Sequence, residues 1–198
     1  MSLVIYIHGK GGSAAEAEHY QTLFPDDTVL GFDYKSETPW EAQKEFSDYF
    51  DAVSVGFDKV CLIANSIGAF FSLFSLSEKK IKKAFFVSPI VNMEKLICDM
   101  MTLANVTESK LKEKKVIPTT FGETLSWEYL RWVRDNPFKW KIPTEILYGE
   151  KDYLQTIDTI NYFSSKSGAK VTVMKNGEHW FHTEEQMAFL NEWIRSTL

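Results

Sequence analysis

The sequence predicts an α/β protein, a three-layer α/β/α sandwich around a mainly parallel six-stranded sheet. Three observations lead there. Strand-like and helix-like segments alternate along the chain, which favours parallel strands joined by crossover helices. The segments "VCLIA" and "AFFVS" are apolar at every position or nearly so, as strands covered on both faces are. A chain of 198 residues, 44% of them hydrophobic, is long enough for one domain with a substantial core.

The elements follow in order. "LVIYIHG" is a β-branched and aromatic run stopped by glycine, hence a strand. "SAAEAEHYQTLF" reads as a helix, with Ser13 as N-cap and Glu16 in capping-box position. "TVLGFDY" is the second strand. In "TPWEAQKEFSDYFDAVSV", Thr38 caps, Pro39 takes the first helical position, and Trp40, Phe46, Tyr49, Phe50 and Val53 recur at helical spacing. "KVCLIAN" is the third strand, "IGAFFSLFSLS" the helix after it, and "KKAFFVSP" the fourth strand. "PTEILYGE" and "AKVTVMKN" are the fifth and sixth. The last helix, "TEEQMAFLNEWIRSTL", puts Met187, Leu190 and Ile194 on one face.

One interval breaks the rhythm. Residues 90–142 are too long for a crossover helix and read as a helical insertion, a cap or lid, at the C-terminal edge of the sheet. Inside it, "NMEKLICDMMTLA" and "SWEYLRWVRDN" look helical. The charged run "KLKEKK" and the stretch "IPTTFGET" separate them. Its aromatics Phe121, Trp127, Tyr129, Trp132, Phe138 and Trp140 are expected chiefly to pack the insertion onto the body.

The formal net charge of −5 argues against a nucleic-acid partner, which calls for a basic face. Cys61 and Cys98 are unclustered and suggest buried thiols in a reducing compartment. No His/Cys/Asp cluster has metal-ligand spacing, and "GKGGS" lacks the spacing of a phosphate loop. No apolar run approaches membrane-spanning length and no signal peptide precedes the first strand, so a cytoplasmic location is the expectation.

Chemistry concentrates where strands end. Ser66 lies at the turn from the third strand into its helix, flanked by Ala64 and Gly68. That is the G-x-S-x-G spacing with alanine first, a turn tight enough to need small residues where strand and helix nearly touch. By itself the match is weak, since serine often caps a helix. A serine nucleophile also needs a base, and the base needs an orienting carboxylate. His179 and His182 follow the sixth strand, and Glu150 and Asp152 follow the fifth, all on the edge that carries Ser66. His8 follows the first strand, His19 reads as a surface residue of the first helix, and Asp33 as a turn residue.

With "HGKGGS", "ANSIG", "LYGEKD" and "GEHWFH" in this order, nearly the whole chain resembles the α/β-hydrolase superfamily. The resemblance implies Ser66 as nucleophile, Asp152 as acid and His179 as base, in preference to Glu150 and His182. It implies an oxyanion hole from the backbone amides of Lys10 and Ile67, a structural His8, and no cofactor. It also implies that the fold's first antiparallel strands are absent. The expected function is hydrolysis of a small carboxylester or thioester. Met93, Met100, Met101, Trp127, Trp132 and Trp180 are candidates for an apolar substrate pocket. An acyltransferase using the same serine, and a non-catalytic binding module, are the alternatives.

Overall fold

The computed structural model describes residues 2–198. Among them the strands run β1 Ser2–Ile7, β2 Thr28–Phe32, β3 Lys59–Asn65, β4 Lys83–Val87, β5 Val116–Pro118, β6 Thr124–Ser126, β7 Thr144–Gly149 and β8 Lys170–Met174. The helices are α1 Ala17–Gln21, α2 Pro39–Val53, α3 Ile67–Ser75, α4 Met93–Leu103, α5 Glu108–Lys114, α6 Trp127–Asp135, α7 Ile157–Ser167 and α8 Glu184–Thr197. The chain divides into two compact units, Met1–Val91 with Lys139–Leu198, and Asn92–Phe138.

The first unit holds a six-stranded sheet in the order β2-β1-β3-β4-β7-β8, parallel throughout. The expected sheet is therefore present. Its central strands are buried on both faces because successive side chains alternate. Val4 and Tyr6 of β1, Ile63 of β3, and Phe85 and Val87 of β4 face one layer, with Tyr20 of α1 and Leu190, Trp193 and Ile194 of α8. On α2 and α3, Phe46 and Phe71 meet with ring centroids 5.9 Å apart, and Phe46 also packs edge-on against Phe32 of β2. Trp140 belongs to this unit. It is fully buried, 5.4 Å from the Phe86 ring, and its indole N–H donates to Thr144 Oγ1 at 2.7 Å.

The chain leaves β1 outward to β2, then crosses back to β3 and continues the other way to β8. The reversal opens the C-terminal ends of β1 and β3 at a topological switch point, where open α/β sheets bind ligands. The first helix is shorter than expected. A 3₁₀ turn, Ala14–Glu16, precedes α1. This segment crosses β2 so closely that a Cβ on Gly31 would lie 2.0 Å from Ala14 O.

The second unit has its own small core, with Leu111, Leu125 and Leu130 at most 1% exposed. Arg134 of α6 donates to Glu94 of α4 and to both carboxylate oxygens of Glu108 of α5, at 2.7–3.0 Å. The charged run forms α5, and "IPTTFGET" contributes to an antiparallel hairpin pairing Val116 with Ser126 and Pro118 with Thr124. That hairpin was not expected. Its strands have three residues each, too few to show alternation, and Pro118 argues against a strand in any sequence reading. No helix among the described residues is long and apolar enough to cross a membrane.

Candidate active site

The elbow is built first. Ser66 joins β3 to α3 with φ 50° and ψ −118°, outside the regions an L-residue normally occupies. Such a backbone costs about 1–3 kcal/mol and persists only when neighbours over-determine it. Here both backbone groups of Ser66 are claimed by the segment leaving β4. Its N–H donates to Val87 O at 3.1 Å, and its carbonyl accepts from Ile90 N–H at 3.1 Å. Glycine at 68 is a steric necessity. A Cβ there would stand 2.5 Å from His8 O and 2.8 Å from Ile7 Cγ2.

From Ser66 a line of hydrogen bonds runs inward. Ser66 Oγ lies 2.9 Å from His179 Nε2, and His179 Nδ1 lies 2.7 Å from Asp152 Oδ2. The Asp152 side chain is fully buried and that of His179 is 12% exposed. Asp152 Oδ1 accepts from the Leu154 and Gln155 amides at 2.8 and 3.3 Å, so the carboxylate is fixed on both sides. A carboxylate facing Nδ1 holds the proton there and leaves Nε2 as acceptor for the serine hydroxyl.

The loops bearing Asp152 and His179 are bound to each other. Lys151 N–H donates to Gly177 O at 2.8 Å, and Glu150 N–H donates to Met174 O at 3.0 Å. Gly149 lies against the turn: a Cβ there would come within 2.4 Å of Glu178 O. Glu150 has a different task from Asp152. Its Oε2 accepts from the Asn176 amide at 2.9 Å, bracing the turn before His179. His182 is also elsewhere. Its Nδ1 is 2.7 Å from Trp180 O, and its ring stacks on Trp180 with centroids 4.4 Å apart.

The loop after β1 runs beside the elbow. A Cβ on Gly9 would sit 3.1 Å from Ser66 Cβ, and Lys10 is the next residue. His8 Nδ1 is 2.8 Å from Gly9 O, its ring stacks on Tyr34, and the Tyr34 hydroxyl donates to His8 O at 3.0 Å. Ile67 opens α3, where a helix leaves its first N–H groups without intrahelical acceptors. Asp33, just past β2, is exposed and paired with Lys35. His19, expected at the surface, is half-buried, and its Nε2 meets Asn191 Oδ1 of α8 at 2.7 Å.

The pocket candidates divide. Trp180 is in the sheet unit and 72% exposed, and the 83% exposed Tyr153 has its ring 6.2 Å from that of His179. Met93, Met100, Met101, Trp127 and Trp132 lie in the second unit. There Met93 and Met101 are buried, and Lys112 Nζ sits 5.7 Å over the Trp127 ring. Among the described residues, no group of three His, Cys, Asp or Glu side chains is arranged to hold a metal ion. Burial pushes the Cys61 and Cys98 thiols up, away from nucleophilic use. The residues that sequence reading missed act through backbone or from off the edge: Val87 and Ile90 on the elbow, Gln155 on Asp152. None carries a motif that would mark it.

No family model matches the chain, and no curated protein matches it in sequence. Solved structures do match in shape. Est1E from Butyrivibrio proteoclasticus, also solved with ferulic acid bound, superposes with TM-score 0.76 at 14% identity over 99% of this chain and 86% of its own. Mouse alpha/beta hydrolase domain-containing protein 10 gives 0.74 at 16% identity, over 98% and 88%. A Pyrococcus furiosus esterase gives 0.61 at 19% identity, over 99% and 80%. The parallel sheet with its reversal at β1 and β3, the helices on its two faces and these neighbours together show that the chain has the α/β-hydrolase fold.

Proposed function

We propose that the protein is a serine hydrolase that cleaves a small carboxylester or thioester through an acyl-enzyme on Ser66. The observation that carries this is the unbroken line Ser66 Oγ–His179 Nε2, His179 Nδ1–Asp152 Oδ2, starting from a strained elbow. As the Ser66 oxygen attacks the carbonyl carbon, His179 Nε2 takes its proton, and buried Asp152 stabilises the imidazolium. The amides of Lys10, on the loop after β1, and of Ile67, at the start of α3, receive the oxyanion. One such donor is worth on the order of 10²–10³ in rate. His179 then passes the proton to the leaving oxygen or sulfur. Water, deprotonated by the same imidazole, releases the acid and restores Ser66. The solvent-facing Tyr153 and Trp180 each follow a member of this line by one residue, and they favour a substrate with an apolar or aromatic part near the leaving group or acyl chain. That Est1E, a fold neighbour, is solved with ferulic acid is in keeping with this.

Fluorophosphonate labelling tests the reading. The wild type should be labelled, and Ser66→Ala and His179→Ala should not. Labelling that persists in Ser66→Ala, or a wild type that never reacts, removes Ser66 as nucleophile. A p-nitrophenyl ester series of rising acyl length then sizes the pocket.

A further inference from the structure

We infer that Gln155 is a positioning residue for the reaction, tying the turn that carries Asp152 to the segment that holds the Ser66 elbow; this rests on the serine-hydrolase reading above. Gln155 is a buried polar side chain, 2% exposed. Its Oε1 accepts from Val91 N–H at 3.2 Å, and its Nε2 donates to Leu154 O at 2.8 Å. Its own backbone N–H donates to Asp152 Oδ1, and its carbonyl accepts from the Tyr148 hydroxyl at 2.9 Å. Val91 directly follows Ile90, whose N–H holds the Ser66 carbonyl at 3.1 Å.

These contacts close a ring. It runs from Ser66 Oγ to His179, to Asp152, to the Gln155 amide, along the Gln155 side chain to Val91, and back through Ile90 to the Ser66 carbonyl. Ser66 and His179 are 113 residues apart in sequence, so their alignment depends on how the two loops are registered. The Ser66–His179 hydrogen bond cannot supply that register, because it breaks and re-forms in each turnover. The Gln155–Val91 bond remains while the serine is acylated, and to the β4–β7 pairing and the Ser88 N–H bond to Leu147 O it adds a tie from the Asp152 turn itself. The chemistry of the side chain suits the task. A carboxamide offers an acceptor to Val91 and a donor to Leu154 with no charge. Glutamate would add a second negative group beside Asp152, and an apolar residue would leave the buried Val91 N–H unpaired.

The test compares Gln155→Met, which keeps length and bulk without the amide, with Gln155→Ala, wild type and Ser66→Ala. Fluorophosphonate labelling rate, kcat and KM for p-nitrophenyl acetate, the pH–rate profile and Tm are measured on each. In both Gln155 variants, labelling rate and kcat should fall about tenfold or more, the scale of a small misplacement of reacting groups. KM should change little. The acidic limb of the pH profile should stay in place, because the backbone bond to Asp152 and the His179–Asp152 pair survive. A residue that only supports the fold would lower Tm but leave the folded fraction turning over at the wild-type rate. Wild-type kcat and labelling in folded Gln155→Met overturn the inference, as does a loss carried wholly by KM. Labelling of Ser66→Ala instead overturns the serine-hydrolase reading itself. If neither variant folds, hydrogen exchange at the Val91 amide of the wild type decides. Protection like that of β4 amides supports the bond to Gln155, and exchange at the rate of an exposed loop overturns it.

Discussion

At the scale of single residues, the site depends on what is absent from a side chain as much as on what is present. Gly68 shows this. An alanine there must push the exit of β1 away from the elbow, because its Cβ would meet His8 O at 2.5 Å and Ile7 O at 3.0 Å. We expect Gly68→Ala to cost about 1–3 kcal/mol, the usual toll of overpacking, measured as a lower urea midpoint. It should also slow labelling at temperatures where the variant is fully folded, since the displaced segment leads into Lys10. An unchanged labelling rate would mean that the β1 loop plays no part in the chemistry. The sequence shows Ser66, Asp152 and His179 because each follows a strand on one edge in a recognisable setting. It cannot show Gln155, a glutamine in a loop whose partner is a backbone amide 64 residues earlier. Nor can it separate Glu150 from Asp152 by chemistry alone. Only the placed loops reveal that one carboxylate braces Asn176 and the other meets His179.

At the scale of elements, legibility follows length and capping. α2 could be read end to end because its start is written in side chains. Thr38 Oγ1 accepts from the Glu41 amide at 3.4 Å, and Glu41 Oε2 accepts from the Thr38 amide at 3.1 Å. Pro39 occupies the first turn, where its missing N–H costs nothing. Thr38→Ala should destabilise the protein by about 1 kcal/mol, the typical value of an N-cap, read from equilibrium denaturation. A shift near zero would indicate that Glu41 alone satisfies the helix start. Thr156 and Thr183 cap α7 and α8 in the same way, each accepting from the amide three residues on. The β5–β6 hairpin and the 3₁₀ turn before α1 escaped sequence reading for the opposite reason. They are short, and their conformation answers to neighbours and not to a local pattern.

At the scale of the molecule, the parallel sheet delivers the segments after all six of its strands to one edge, among them those after β1, β3, β7 and β8 that carry the candidate site. The core beneath them is rich in tyrosine. Tyr6 is fully buried, and its hydroxyl donates to Glu16 and accepts at 3.0 Å from Nδ2 of Asn65, the residue directly before Ser66. Burial, first among the causes, pushes the phenols of Tyr6, Tyr20 and Tyr34 well above the ordinary tyrosine range. A group whose folded value is raised holds its proton longer folded than unfolded. Its contribution is complete below the unfolded value and is lost as pH rises. The unfolding free energy should therefore hold steady with respect to these groups up to about pH 10, then fall by about 1.4 kcal/mol per pH unit for each, seen as a falling denaturant midpoint. Phenolate absorbance should appear together with unfolding. Phenolate formation by these three in a still-folded protein would contradict their burial.

The elbow has a consequence for how the protein comes into being. The Ser66 backbone is gripped by Val87 and Ile90, and its hydroxyl meets a histidine translated 113 residues later. On the ribosome, the emerging chain carries Ser66 without that histidine until the C-terminal segment has been made. On the proposed mechanism, biosynthesis itself acts as a safety catch, since the nascent polypeptide lacks the base that Ser66 would need.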